Sequence, residues 1–206
     1  MSGTGPQEAV TGFRSTRRGV TATFAPTQAG VIRALVSQVA ELVGGEQIAP
    51  DGAGQQVSAA ASPMEGSWDS PEEFAALLGL SDSTVLPEDP VLARLLPDAY
   101  RDDPEAAGDF RRYTEQDLRS GKVAAAHTVL ATLPEDGGQV LLSDDEAQVW
   151  LRALNDVRLA LGVRLSVTED FEQRMASLDP DDPRAAYFWV YDWLTYLQET
   201  LVRALW

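Results

Sequence analysis

Apolar residues recur every three or four positions from Trp150 to Leu165: Trp150, Leu151, Leu154, Val157, Leu161 and Leu165. That spacing predicts a helix burying one face, and the density of the stripe makes it the expected core of a helical domain. Ser143, with Glu146 three residues on, spells a capping box at its start, and the acids at 144–146 suit the positive end of a helix dipole. Asn155, Asp156 and Arg158 lie inside the periodic stretch. A buried charge without a partner is costly, so these three are expected to form a polar core. Arg158 is expected to meet a carboxylate, with Asp109 and Asp192 as candidate partners.

The rest of the chain divides by the same rule. Residues 1–10 carry no periodic apolar signal and are expected to be disordered. In GFRSTRRGVTATFA, Val20, Ala22 and Phe24 alternate with Thr21 and Thr23, and Gly19 supplies a turn residue, which predicts a β-hairpin. Ile32, Leu35, Val36, Val39 and Val43 then predict a helix from Pro26, stopped by Gly44 and Gly45. A Gly-, Ala-, Ser- and Gln-rich stretch at about 45–69 reads as a flexible insertion within a single domain spanning 11–206. Ser70, Pro71 and Glu73 open a short helix, and Leu92, Leu95 and Leu96 mark another, ended by Pro97. A long helix is expected from Pro104 to Leu133, where Pro134 halts it, with a kink or close crossing at Ser120-Gly121. Gly137-Gly138 and QVLL read as a turn and an apolar connector, and TEDFEQRMASL as a short helix.

The last helix, Pro183 to Trp206, carries two apolar stripes. Val190, Leu194, Leu197 and Leu201 form one; Trp189, Trp193 and Tyr196 form the other. Two stripes mean a helix flanked on more than one side. Either it is an inner helix of one subunit, or the aromatic stripe is an interaction surface, with a homodimer the simplest way to cover it.

Charge narrows the function classes. The 206 residues include 32 acids against 16 bases, a formal net charge of −16. Such a surface repels nucleic acid and anionic lipid except where bases cluster. One cluster is Arg14, Arg17 and Arg18 at the hairpin, read either as a solvated tip or as a contact for an acidic partner or phosphate. The other, Arg111, Arg112, Arg119 and Lys122, is interleaved with Asp109, Glu115 and Asp117, so intrahelical pairing is expected and tight autonomous DNA binding is not.

The chain has no cysteine, which excludes disulfides, thiol catalysis, thiolate metal sites and thiol redox sensing. The opening MSGTGPQEAV has no signal-peptide pattern and no stretch reads as a membrane span, so a cytoplasmic protein is expected. His127 is the sole histidine, set among alanines on a helical segment, and no nucleophile elbow, phosphate loop or zinc spacing accompanies it. Paired acids at 102–103, 144–145 and 181–182 fall at turns and helix starts, where capping accounts for them. No cofactor, metal or catalytic residue is expected.

Three blocks carry a resemblance: LARLLPDAYRDDPEAAGDFRRYTEQDLRSGKVAAAHTVLATL at 92–133, WLRALNDVRLALGVRLSV at 150–167, and VYDWLTYLQETLVRAL at 190–205. With the FRSTRRGV hairpin they resemble the actinobacterial AosR-like family, long known as a domain of unknown function. The resemblance implies an intracellular oxidative-stress regulator of transcription, acting with an alternative sigma factor on cysteine-biosynthesis genes. It also implies genomic neighbourhood with the ClpS protease adaptor. Redox-active members of the family sense through a cysteine pair that this chain lacks, so no sensing residue carries over. The expectation is a mainly α, bundle-like domain with a small N-terminal β-hairpin. Its function is expected to be non-enzymatic regulation through protein contacts with a sigma factor or RNA polymerase, or, alternatively, adaptor work linked to ClpS-type proteolysis.

Overall fold

A computed structural model describes residues 12–44, 89–97, 104–177, 182 and 185–206. The segments expected to be a disordered N-terminus (1–10), a flexible insertion (45–69) and a capped helix at Ser70 lie outside the described residues. In chain order the elements are β1 (Arg14–Thr16), β2 (Gly19–Phe24), α1 (Pro26–Gly44), α2 (Pro90–Leu95), α3 (Pro104–Thr132), β3 (Gly138–Leu142), α4 (Asp144–Arg164), α5 (Phe171–Ser177) and α6 (Ala185–Leu205). The fold is mainly α, with a small antiparallel sheet on its flank.

That sheet has three strands in the order β1-β2-β3, one more than the hairpin alone provides. The stretch expected to be a connector, QVLL, is the third strand, paired antiparallel to β2 from Val20↔Leu142 to Phe24↔Gly138. Val140 and Leu142 point inward, whereas Leu141 is 54% exposed. An apolar residue on the solvent side hides the alternation that would mark a strand in the sequence. Thr21, on the central strand, is buried, and its hydroxyl donates to the Val140 carbonyl at 2.7 Å. Gly19 closes the hairpin at φ 125°, where an added Cβ would stand 2.1 Å from the Leu142 carbonyl oxygen. No side chain fits there.

α4 is the axis of the domain, packing against α1, α2, α3, α6, β2 and β3. Its capping box forms as the sequence predicts: Ser143 Oγ accepts from the Glu146 amide at 3.2 Å, and the Ser143 amide donates to Glu146 Oε2 at 2.8 Å. Trp150 is fully buried where α4 meets the sheet. The Phe24 ring stacks on it at 6.0 Å and the Phe13 ring meets it edge-on at 5.7 Å. Its indole Nε1 donates to Thr132 Oγ1 at 2.8 Å, so the buried donor is satisfied.

α3 is an uninterrupted helix through Ser120-Gly121. Among the described residues a Cβ added at Gly121 would meet nothing within 4 Å, so of the kink or close crossing expected at this point the close crossing is not seen. Two arginines instead tie helices together by reaching terminal carbonyls. Arg119 donates to the Val43 carbonyl in the last turn of α1 at 2.6 Å, and Arg33 to the Leu133 carbonyl just past α3 at 2.5 Å. Helix-end carbonyls lack intrahelical donors, which makes them natural acceptors for a guanidinium.

Candidate functional site

The polar residues of α4 face different neighbours. Asp156 is buried, and its Oδ1 accepts from the Nζ of Lys122 on α3 at 2.7 Å. Lys122, the chain's sole lysine, is itself only 21% exposed in its side chain. Burial raises the Asp156 carboxyl above its usual range, and the Lys122 hydrogen bond and charge offset part of that rise. Asn155 Oδ1 accepts from Gln198 Nε2 at 3.2 Å, joining α4 to α6. Arg158 is half-buried, with no ion pair to it among the described residues, and its Nε is buried without a hydrogen-bond partner. Asp192 is exposed on α6, and the side chain of Asp109 lies outside the described residues. The acid–base link on α4 is therefore Asp156 with Lys122, a pairing the sequence reading did not anticipate. A second such link closes the far end of the helix: Arg164 pairs with Asp89 at 2.8 Å, and the same Asp89 caps α2 by accepting from the Val91 amide. Arg119 pairs with Glu115 at 2.7 Å, the intrahelical pairing that interleaved charges suggest.

On α6, Val190, Leu194, Leu197 and Leu201 are buried against the core. The aromatic stripe is divided. Trp193 is half-buried and packs on the core, whereas Trp189 is 60% and Tyr196 40% exposed. An entirely inner helix is thus not what one subunit contains. Near the start of α6, Phe171 of α5 meets the rings of Phe188 and Tyr191 at 5.4 and 5.0 Å, and the Arg174 guanidinium lies 5.8 Å over Phe188.

Two of the six expected contact residues, Arg14 and Tyr196, meet at the other end of α6, whereas Trp189, Trp193, Arg17 and Arg18 do not line the same surface. A shallow groove runs between β1 and the C-terminal half of α6, walled by Arg14 and Ser15 on the strand and by Tyr196, Thr200, Arg203 and Ala204 on the helix. The Phe13 amide donates to Thr200 Oγ1 at 3.1 Å and ties the two walls together. Gly12 touches Thr200 so closely that a Cβ would stand 2.6 Å from its methyl group. Arg14, Arg17 and Arg18 are all exposed. Arg203 pairs loosely with Glu199 at 3.4 Å, both side chains being largely in solvent. Arg14 and Tyr196, singled out separately in the sequence, thus share one groove. Arg203 was missed, because a single arginine in a helix's last turn reads as dipole compensation.

Among the described residues no group of three or more His, Cys, Asp or Glu could hold a metal ion, and none of the helices is long and apolar enough to cross a membrane. Helical core, flanking sheet and an open groove that carries two arginines define a mainly α protein. The chain belongs to the family described as Domain of unknown function (DUF2017), whose model matches residues 10–205. It is similar to the oxidative stress regulator AosR of Mycobacterium tuberculosis, with 41% identity over 132 residues, covering 58% of this chain and 59% of that protein. The relative of that name in Mycobacterium bovis matches to the same extent. A Mycobacterium leprae relative, named "Putative oxidative stress regulator AosR", is 41% identical over 148 residues, 65% of this chain and 67% of its own length. The matches thus span about three fifths to two thirds of these relatives. No solved structure gives a significant match.

Proposed function

We propose that this protein is a non-enzymatic intracellular regulator of the oxidative-stress response, acting by protein contact with transcription machinery, either a sigma factor or an RNA polymerase subunit. The observation that carries the reading is the 41% identity to relatives named as oxidative stress regulators. The exposed aromatic and cationic side chains of α6 and the hairpin support contact as the mode of action, since aromatics and arginine dominate binding energetics at protein interfaces. With no cysteine in the chain, the stress signal reaches it through a partner and not through its own thiols. The net charge of −16 favours a protein partner over duplex DNA.

Affinity capture from native lysate, with and without peroxide, tests the reading by mass spectrometry. A sigma factor or polymerase subunits are expected at stoichiometric levels. Recovery of ClpS or protease subunits in their place moves the protein to the adaptor class. A gel-shift titration at physiological salt is expected to show no nanomolar, sequence-specific binding to duplex DNA.

A further inference from the structure

We infer that the groove between β1 and the C-terminal half of α6 is a docking site for an acidic, extended segment of a protein partner. The inference rests on the protein-contact reading above and adds a surface and a partner chemistry to it.

The argument is charge complementarity against the background of the chain. Acids outnumber bases two to one overall, 32 against 16, yet the groove is lined by two arginines, Arg14 and Arg203, and, among the described residues, by no acid. Arg17 and Arg18 prolong the positive edge beyond β1, and residues 12–24 contain no Asp or Glu at all. Three carboxylates close to these elements in the chain are Glu199, Asp144 and Asp145. Glu199 meets Arg203 only at 3.4 Å with both side chains solvated, a pair weak enough for an incoming carboxylate to displace. Asp144 and Asp145 follow β3, on the opposite side of β2 from β1, so they flank the hairpin tip and not the groove. Arg14 has no acidic partner among the described residues.

The shape calls for an extended occupant. β2 pairs with one side of β1 only, so the other side of the strand is a sheet edge. Thr200 takes the Phe13 amide at the start of that edge, and Arg14 and Ser15 continue it as a groove wall open to solvent. Tyr196, 40% exposed, offers a ring on the opposite wall. A strand-like segment laid there gains main-chain contacts along β1, sets carboxylates on Arg14 and Arg203, and rests an apolar side chain on Tyr196. Duplex DNA could also meet arginines, but a rigid anionic rod would bring its charge against the acidic remainder of the surface.

The test is to pan a phage-displayed library of short random peptides against the full chain and measure binders by fluorescence anisotropy. Peptides in which Asp or Glu alternate with apolar residues are expected to be enriched. Their amide-shift map is expected to fall on residues 12–18 and 196–204. Arg14→Glu with Arg203→Glu is expected to weaken them at least about tenfold at an unchanged melting temperature, and Tyr196→Ala by a smaller factor. On wild type, raising NaCl about tenfold should weaken the same peptides, a readout independent of the variants' folding. Enrichment of neutral or basic peptides, equal affinity for the charge-reversed variant, a map elsewhere, or displacement by duplex DNA at comparable affinity would each overturn the inference. The two readings fail separately. If the charge-reversed variant still captures transcription proteins as wild type does, the groove is wrong and the function stands. If acidic peptides dock in the groove but no transcription protein is captured, the reverse holds.

Discussion

α4 and α6 are both 21 residues long and pack against each other, yet they treat their large side chains in opposite ways. α4 begins with three acids and carries arginines along its length, and it still buries Trp150 completely. α6 is rich in aromatics, and it leaves Trp189 60% exposed. The difference lies in their neighbours. α4 packs against four helices and two strands, whereas α6 rests on α4 and the first two strands, with α5 touching it near its start, and exposes Trp189 and Tyr196. Burial follows from how many surfaces surround an element, not from how apolar the element is. Large aromatics left on the less enclosed helix are therefore available for contact.

The contrast should appear first as stability. Trp150→Ala removes a fully buried indole, two ring contacts and the bond to Thr132, and is expected to cost about 4 kcal/mol in urea melts. A loss below about 1 kcal/mol would mean that the sheet does not depend on this contact.

Lys122→Met leaves Asp156 on the enclosed helix without its cation, and a loss of about 2 kcal/mol is expected at neutral pH, less than for a wholly buried pair. The sign with pH is definite. The folded-state carboxyl of Asp156 already titrates above its ordinary value, and removing Lys122 raises it further. The folded state then holds its proton more tightly than the unfolded chain. The relative gain is full below the unfolded value near 3.8 and is lost as pH rises through the folded one. The deficit of Lys122→Met should accordingly be smaller at about pH 4 than at about pH 7, and Asp156→Asn in the same chain should restore part of it. A pH-independent deficit would place the effect in packing alone.

Ser143→Ala strips the cap from α4 and should cost about 1 kcal/mol. Hydrogen bonds from the Ser143 backbone and side chain hold the Glu146 carboxyl below its usual value, so its share of the cap is present at neutral pH. That share disappears as acid carries the solution down through the lowered value. Melts across the acid range, wild type against variant, check it: their difference should narrow as pH falls.

The smallest stability effect belongs to the open side of α6. Trp189→Ala is expected to change stability by less than about 0.5 kcal/mol. Light scattering after size exclusion then sharpens the comparison. A dimeric wild type made monomeric by Trp189→Ala assigns the exposed stripe to a second copy, whereas a variant that unfolds would show that Trp189 is enclosed after all.

What was legible in the chain was whatever neighbouring residues settle among themselves. The apolar period of α4, its capping box, the buried stripe of α6 and the hairpin all depend on contacts three or four positions apart or on one tight turn, and all are present. What was not legible depended on which distant surfaces meet. β3 needs an edge supplied far earlier in the chain, the Thr21 hydroxyl and the Val140 carbonyl lying 119 positions apart, and its exposed Leu141 disguises the pattern. The acid partnered on α4 proved to be Asp156, reached by a lysine 34 residues away. The groove is the extreme case. Arg14 and Tyr196 each looked like a contact residue, but only a fold that seats Phe13 on Thr200, 187 positions later, brings them together with Arg203. Local backbone preferences act between neighbours and are written in their order. The meeting of strand edge and helix face is decided by how the whole core closes, because packing the buried face of α4 against its neighbours leaves β1 and α6 side by side.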